Sequence, residues 1–132
     1  MRPRGDDGSI SLMLVVLVLA LFVCVGLVVD GGAKLRAVQQ ATQVAGEAAR
    51  AATQQVDVGQ VQQSGQVRLD PVAARHAAQA ALTEAGVTGT VTVAAGQVRV
   101  EASVTRPTVF LGLAGLDQVT GHGSATSDLT TE

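Results

Sequence analysis

The hydrophobic pattern of this chain begins with one long apolar run. From Ile10 to Val29, twenty consecutive residues carry no charge, and fifteen of them are Leu, Ile, Val or Phe. Twenty helical residues rise about 30 Å, which matches the thickness of the hydrocarbon layer of a bilayer. The run therefore predicts a transmembrane helix over residues 10–29, preceded by a short stub over residues 1–9.

Two other interpretations of the apolar run are open. A cleavable signal peptide has a shorter apolar region, about 7–15 residues, followed by a small-residue cleavage site. The run here is longer, although Gly31, Gly32 and Ala33 could serve as a weak site. A buried helix of a soluble protein is rarely so long and so uniformly apolar. We favour an uncleaved anchor.

The orientation of the predicted anchor does not follow from a count of basic residues. Arg2 and Arg4 precede the run, and Lys34 and Arg36 follow it, so the positive-inside rule gives a tie. A short stub with a free amine beside two arginines is expected to stay in the cytoplasm. We therefore expect a single-pass protein of the cytoplasmic (inner) membrane with an extracytoplasmic C-terminal part.

A second, amphipathic pattern follows the apolar run. Small apolar residues recur at helical spacing, while glutamines and charges fall between them. They form a predicted packing face made of Val38, Ala41, Ala45, Ala48, Ala52 and Val56. We expect one helix from about residue 9 to 55, with residues 30–56 as its extracytoplasmic continuation and a kink at Gly31–Gly32. The face should pack on the C-terminal domain or on neighbouring copies.

The remaining residues, 57–132, predict a small head domain. After a loop over 57–69 with a short extended piece at 66–69, Asp70 is the expected N-cap of a helix that ends before Gly86. Alternating valines then predict a hairpin with its turn at Ala95–Gly96, ended by Pro107. A last strand is expected over 118–129. The fold class is α+β, with one helix packed on a three- to four-stranded antiparallel sheet.

A short apolar patch, Val109–Leu116, lies between the hairpin and the last strand. Eight residues are too few to span a bilayer. The patch could be a turn of the head's core, or it could dip toward the membrane surface. We favour the core.

Composition and motifs predict no catalytic, metal or nucleic-acid site. The formal charge is −2 and the cations are not clustered, whereas nucleic-acid binding needs concentrated positive charge. Cys24 is the single cysteine, which excludes an intramolecular disulfide. His76 has no second metal ligand nearby, and the chain lacks HExxH, paired cysteines and a phosphate-binding glycine loop. We expect no cofactor, no metal and no enzymatic activity.

In the segment Gly121–Ser124, His122 lies close to Ser124 along the chain. A nucleophile elbow requires G-x-S-x-G at a turn from strand to helix, and no helix follows here. We also expect His122 and Ser124 to point to opposite faces of a strand. The segment is therefore interpreted as structural.

Several local motifs, in this order and spacing, resemble one protein family. The first three are a polar stub that ends in glycine (residues 4–8), an Asp-Gly-Gly at the end of the apolar run (28–32) and an alanine-rich helix (44–52). The last three are a Leu-Asp-Pro helix start (69–71), an apolar patch (108–115) and a small-residue strand (123–126). Together they resemble the TadE/TadG-like family of tight-adherence (Flp-type) pilus assembly proteins, in the short form of GC-rich bacteria.

The resemblance implies a pseudopilin-like protein with a membrane helix and a small extracytoplasmic head. Its implied partners are the lipid bilayer and other Tad-type pilus or secretion proteins, and a homo-oligomer is compatible with it. We expect a structural or assembly role. The alternative is a small binding module secreted after signal peptidase cleavage behind Ala33.

The N-terminus departs from the pattern of processed pseudopilins. In these proteins a peptidase cuts after a glycine, and a glutamate then stands fifth in the mature chain. The candidate cleavage positions here are Gly5 and Gly8, which would place Ile10 or Met13 fifth. Neither side chain can neutralise the N-terminal amine of an adjoining subunit, so an uncut, TadG-like anchor fits better.

Overall fold

A computed structural model of the chain describes residues 7–55, 62 and 68–128. Its elements in chain order are α1 (Asp7–Thr53), α2 (Pro71–Glu84), β1 (Thr88–Ala94), β2 (Gln97–Pro107), a short 3-10 helix (Leu111–Ala114) and β3 (Gln118–Asp128). The three strands form one antiparallel sheet in the order β1-β2-β3. The predicted α+β fold, with a long helix, a second helix and a small antiparallel sheet, is confirmed.

The helix α1 is continuous for 47 residues and is about 70 Å long. It runs through Gly31 and Gly32 without a break, and a Cβ at either glycine would meet no atom within 4 Å. The expected kink at this pair stays a prediction. The helix ends at Thr53, close to the predicted end at residue 55. Of the loop predicted over 57–69, all but residues 62, 68 and 69 lies outside the described residues.

The start and end of α2 follow from its sequence. Oδ1 of Asp70 accepts hydrogen bonds from the amides of Val72 at 2.9 Å and Ala73 at 3.0 Å, so Asp70 is the N-cap, as predicted. Gly86 follows the last turn with φ +65°, the left-handed conformation that ends helices and favours glycine. The amide of Asp70 also donates to the carbonyl oxygen of Gln55 at 3.1 Å. This bond ties the start of α2 to the end of α1.

The predicted hairpin is formed by β1 and β2, with its turn at Ala95–Gly96. Both turn residues have positive φ, 51° and 78°, which is the combination that a two-residue turn of type I′ requires. The hairpin begins at Thr88, three residues before the first valine of the predicted pattern. In register, Val91 pairs with Val100, and Val100 pairs with Ala125 of β3. The last strand therefore joins the hairpin at β2, and it ends at Asp128 within the described residues.

Both helices cover one face of the sheet. In β2, Val98, Val100, Ala102 and Val104 point toward the helices and are buried, whereas the alternate residues are mostly exposed. Within the described part of the chain, nine of the fifteen buried apolar residues are alanines, and Leu82 is the one leucine among them. Such small side chains let helix and sheet backbones come close together. The fold is thus a two-layer sandwich with an open, polar outer sheet face.

The interpretation of Val109–Leu116 as a core turn is wrong. The 3-10 helix has no buried residue, and Leu113 is 88% exposed. The segment instead leaves the sheet at Pro107, lies against α1 near Gly26 and returns at Gln118. The core does not need the patch because the helix layer already covers the inner face of the sheet.

Candidate membrane anchor and packing face

The first half of α1 presents apolar side chains on all sides. Over its most apolar 18-residue window the mean hydropathy is 3.4, and only 6% of that window is buried. A core helix of a soluble domain would be mostly buried, because its apolar surface must leave water. Among the described residues this is the one helix long and apolar enough to cross a membrane. It could span a bilayer through residues 10–29.

Asp30 lies directly after this run and is almost completely buried, with 1% of its surface exposed. Its Oδ1 accepts a hydrogen bond from the amide of Val109 at 2.8 Å. Its Oδ2 accepts from the amides of Phe110 at 3.0 Å and Leu111 at 2.6 Å. We call this arrangement the Asp30 clamp. It joins the end of the apolar run to a loop 79 to 81 residues later in the chain.

The clamp favours an ionised carboxylate. Hydrogen bonds from the amide of Val109, and then from those of Leu111 and Phe110, lower the pKa of Asp30 below its ordinary value of 3.8, while desolvation acts in the opposite direction. Three donors to one carboxylate stabilise its charged form more than burial destabilises it. Asp30 is therefore an anion that holds backbone amides, as a helix N-cap does.

The loop held by the clamp, residues 108–117, is closed by its own hydrogen bonds. The amide of Thr108 donates to the carbonyl oxygen of Asp117 at 3.0 Å, and the Thr108 hydroxyl donates to that of Leu116. Gly115 has φ +86° and ends the 3-10 helix. The loop is thus a defined turn and not an extended link between two strands.

Gly26 provides the space that the loop needs. A Cβ at this position would lie 2.8 Å from Cβ and Cγ of Phe110, closer than real side chains approach. The ring of Phe110 therefore lies directly on the backbone of α1, one helical turn before Asp30. Gly26 and Asp30 are on the same side of α1, since residues four apart share a helix face.

The predicted packing face lies mostly inside the head. Ala41, Ala45, Ala48 and Ala52 have no exposed surface, and Val38 is half-buried. Val56 lies outside the described residues. The same side of α1 also buries residues that the prediction did not include: Ala37, Val44 and Ala49.

Glycines of β3 let α1 approach the sheet along this face. A Cβ on Gly121 would collide with the backbone of Ala37 and Val38, and a Cβ on Gly123 would collide with that of Ala41 and Thr42. Helix and strand backbones are therefore in direct contact at these two positions. The predicted face is occupied by the chain's own third strand.

The other predicted residues are placed apart from this contact. Gly8 lies in the first turn of α1, and Gly5 lies outside the described residues. His76 and His122 are exposed, and within the described ranges no cluster of three potential metal ligands occurs. His122 and Ser124 are two positions apart in β3 and both face outward, so the expectation that they point to opposite faces is wrong.

The sequence gives little sign of the Asp30 clamp. A carboxylate next to an apolar run can be read as a solvated helix end, and the clamp's partners are backbone amides, whose position no side chain reveals. The one available signal is the coincidence of a lone acidic residue at the end of the run with an apolar patch far along the chain. Gly26, Gly121 and Gly123 are likewise indistinguishable in sequence from the other glycines.

Part of the chain is similar to a known protein family. Residues 8–55 match the family model of Flp pilus-assembly TadE/G-like proteins, so the predicted family resemblance is confirmed for the segment that comprises most of α1. No curated protein and no solved structure matches the chain.

Proposed function

Since the chain carries a TadE/G-like segment over residues 8–55, we propose that it is a single-pass membrane component of a Tad-type pilus or secretion apparatus. Two observations together support the proposal. Residues 8–55 match the family, and the head leaves the apolar first half of α1 uncovered. The role is structural. Residues 10–29 anchor the protein, α1 continues beyond the span to Thr53, and residues 57–132 belong to the head.

The Asp30 clamp supports an anchor that stays attached to the head. Signal peptidase cleavage behind Ala33 would remove Asp30, Gly26 and the rest of the surface on which the loop lies. The amides of Val109, Phe110 and Leu111 would lose their acceptor, and unpaired polar groups are costly wherever water does not replace the lost partner. A chain destined for release would not be expected to use its leader as part of its folded structure.

The proposed orientation is N-terminus in the cytoplasm and head outside, in the cytoplasmic membrane. Within the described residues, every element other than α1 follows the span, so the head lies on the side of the membrane that the C-terminal half of α1 reaches. The N-terminus stays uncut in this proposal, because cleavage after Gly5 or Gly8 would not place a glutamate fifth in the chain.

Contacts with other components are assigned to two surfaces. The small-residue face of α1 is engaged by the chain's own head, so it is not free for another copy. The lipid-facing sides of the span and the outer face of the sheet remain. That outer face is rich in hydroxyl side chains, among them Thr90, Thr92, Thr120, Ser124 and Thr126. We assign the partners, other Tad-type proteins, to these two surfaces.

The first test concerns the anchor. The protein recovered from its native cells should be in the membrane fraction with an intact mass that includes residues 10–33. A soluble species beginning at Lys34 would instead establish the secreted module.

The second test concerns the apparatus and uses a matched pair of variants. Deletion of the gene should abolish surface pili or the secreted product, and the wild-type chain should restore them. Leu17→Arg with Leu19→Arg should not restore them, because two arginines at the helix centre oppose insertion by about 5–7 kcal/mol in total. Gln39→Arg with Gln43→Arg adds the same charge at exposed positions of the aqueous half of α1 and should restore them. Normal piliation without the gene would contradict the proposal.

A further inference from the structure

We propose that the loop Val109–Leu116 is a second membrane element, inserted into the head-side half of the bilayer next to α1, where its apolar side chains contact lipid acyl chains. This inference rests on the proposed function to the extent that residues 10–29 span the bilayer. It goes beyond that function because it gives the head its own contact with lipid.

The position of the loop along α1 places it below the membrane surface. The ring of Phe110 lies on Gly26, which is three residues inside the end of the predicted span at Val29. At about 1.5 Å per residue, this contact is about 5 Å into the apolar region. An open apolar groove of about 560 Å³ continues between the loop and α1 as far as Leu19, about 15 Å from Val29. If residues 10–29 span the bilayer, the loop therefore lies within the bilayer as well.

The side chains of the loop suit hydrocarbon and not water. Leu113 is 88% exposed, Val109 66% and Leu116 59%. No charged residue occurs from Val109 to Leu116, and the nearest are Arg106 and Asp117. The exposed leucines are continuous with the uncovered sides of α1, and the groove between them is lined by Leu19, Phe22, Val23, Leu27 and Leu111. Lipid is therefore the occupant that follows from the position of α1.

The backbone of the loop meets the strictest requirement for entry into a bilayer. Irregular backbone is tolerated at that depth only when its polar groups have partners within the protein. The amides of Val109, Phe110 and Leu111 donate to Asp30, and those of Leu113, Gly115 and Leu116 donate to carbonyl oxygens of the loop itself. At least six of the eight amides from 109 to 116 are thus paired. The Asp30 clamp supplies the acceptor for three of these backbone amides, which would otherwise be unpaired in an exposed apolar turn.

The test measures the depth of the loop in the full-length protein. In a Cys24→Ser background, an environment-sensitive fluorophore is attached through Leu113→Cys, and in a second variant through Leu116→Cys. Both positions are exposed, so the label does not disturb the fold. Labels at Leu17→Cys, within the span, and Thr92→Cys, on the outer sheet face, serve as matched controls. The proteins are reconstituted into phosphatidylcholine vesicles, with quenching by dibrominated acyl chains or by aqueous iodide.

We expect the labels at positions 113 and 116 to be quenched by brominated lipid about as strongly as the label at 17, and to be protected from iodide. The label at 92 should show the reverse. Quenching of positions 113 and 116 by iodide alone would overturn the inference and leave the anchor intact. Quenching by neither agent would overturn it in favour of a protein contact, such as a second copy. If position 17 is also quenched by iodide alone, the span itself fails, and the proposed function fails with it.

Discussion

Asp30 is the residue through which the end of the span is hydrogen-bonded to the loop. A buried carboxylate is unfavourable unless it is fully hydrogen-bonded, and here three backbone amides of one turn supply the bonds. The effect of these hydrogen bonds is to hold the loop at one position along α1, so the role of the Asp30 carboxylate is to position the loop.

Replacement of Asp30 by asparagine should release the loop while leaving α1 and the sheet folded. The amide NH₂ of asparagine is a donor, so at least one of the three loop amides would face a donor instead of an acceptor. We expect hydrogen exchange of the amides of Val109, Phe110 and Leu111 to accelerate about tenfold or more, measured by NMR in micelles. Asp128→Asn, at the exposed end of β3, removes the same charge and should leave these rates unchanged. Unchanged exchange in Asp30→Asn would show that the clamp does not hold the loop.

Acidification should have the same local effect. The pKa of Asp30 in the folded protein is lowered from 3.8 by the amide of Val109 and its neighbours. A lowered folded pKa means that the clamp contributes its full stability above about pH 3.8, and that this contribution is lost as the pH falls through the folded value. The amide proton shifts of residues 109–111 should titrate with a midpoint below 3.8. In Asp30→Asn that titration should be absent, and a midpoint above 3.8 would contradict the sign.

Among the elements, β3 carries small residues that let its backbone lie directly against α1. Its glycines at 121 and 123 face the backbone of α1 at Ala37 and Ala41, where no side chain fits between helix and strand. The long helix and the last strand are thus in contact through small residues on both sides. Such a contact is rigid, because any added atom must separate the two layers.

Gly121→Ala and Gly46→Ala should therefore change stability in opposite directions. At Gly121 the new methyl group would collide with the backbone of Val38, and overpacking of this kind costs about 1–3 kcal/mol or more. At Gly46, inside α1, a Cβ meets nothing within 4 Å, and the gain in helix propensity is about 0.5–1 kcal/mol. Thermal unfolding in one detergent, followed by circular dichroism, gives both signs. A neutral or stabilising Gly121→Ala would show that β3 does not approach α1 this closely.

The elements divide into those that local sequence determines and those that it does not. The apolar run, the Asp70 cap with Pro71, Gly86 and the alternating valines of β2 each carry a local signal, and the structure has helix, cap and hairpin where these predict them. The loop at 109–116 carried only an apolar composition, which fits a core turn as well as a membrane contact. Its place depends on a contact with residues about 80 positions earlier, and no period in the sequence encodes that separation.

At the scale of the whole molecule, the sheet and the loop each contact α1, and they do so at different positions along the helix. The sheet is attached at Ala37 to Thr42 through the glycines of β3, while the loop is attached at Gly26 and Asp30. Both ends of the loop leave from the sheet, at Pro107 and Gln118. The head can satisfy both attachments only if the intervening turns of α1 keep their number of residues, so the height and rotation of the head relative to the span are fixed.

Insertion of one alanine between Gly32 and Ala33 tests this register. One added residue rotates everything after it by about 100° and moves it by about 1.5 Å relative to the span, while the apolar run and the face of α1 that packs on the sheet both stay intact. Because α1 contacts β3 much more extensively than it contacts the loop, the sheet should keep its contact with Ala37 and Ala41, and the Asp30 clamp should break. We expect the amides of Val109, Phe110 and Leu111 to exchange as fast as in Asp30→Asn, with membrane association unchanged. An alanine inserted after Met1 lengthens the chain equally without altering the register and should leave the exchange at its wild-type rate. Retained protection in the first variant would mean that the turns around Gly31 and Gly32 absorb the extra residue, and that α1 does not act as a rigid axis between membrane and head.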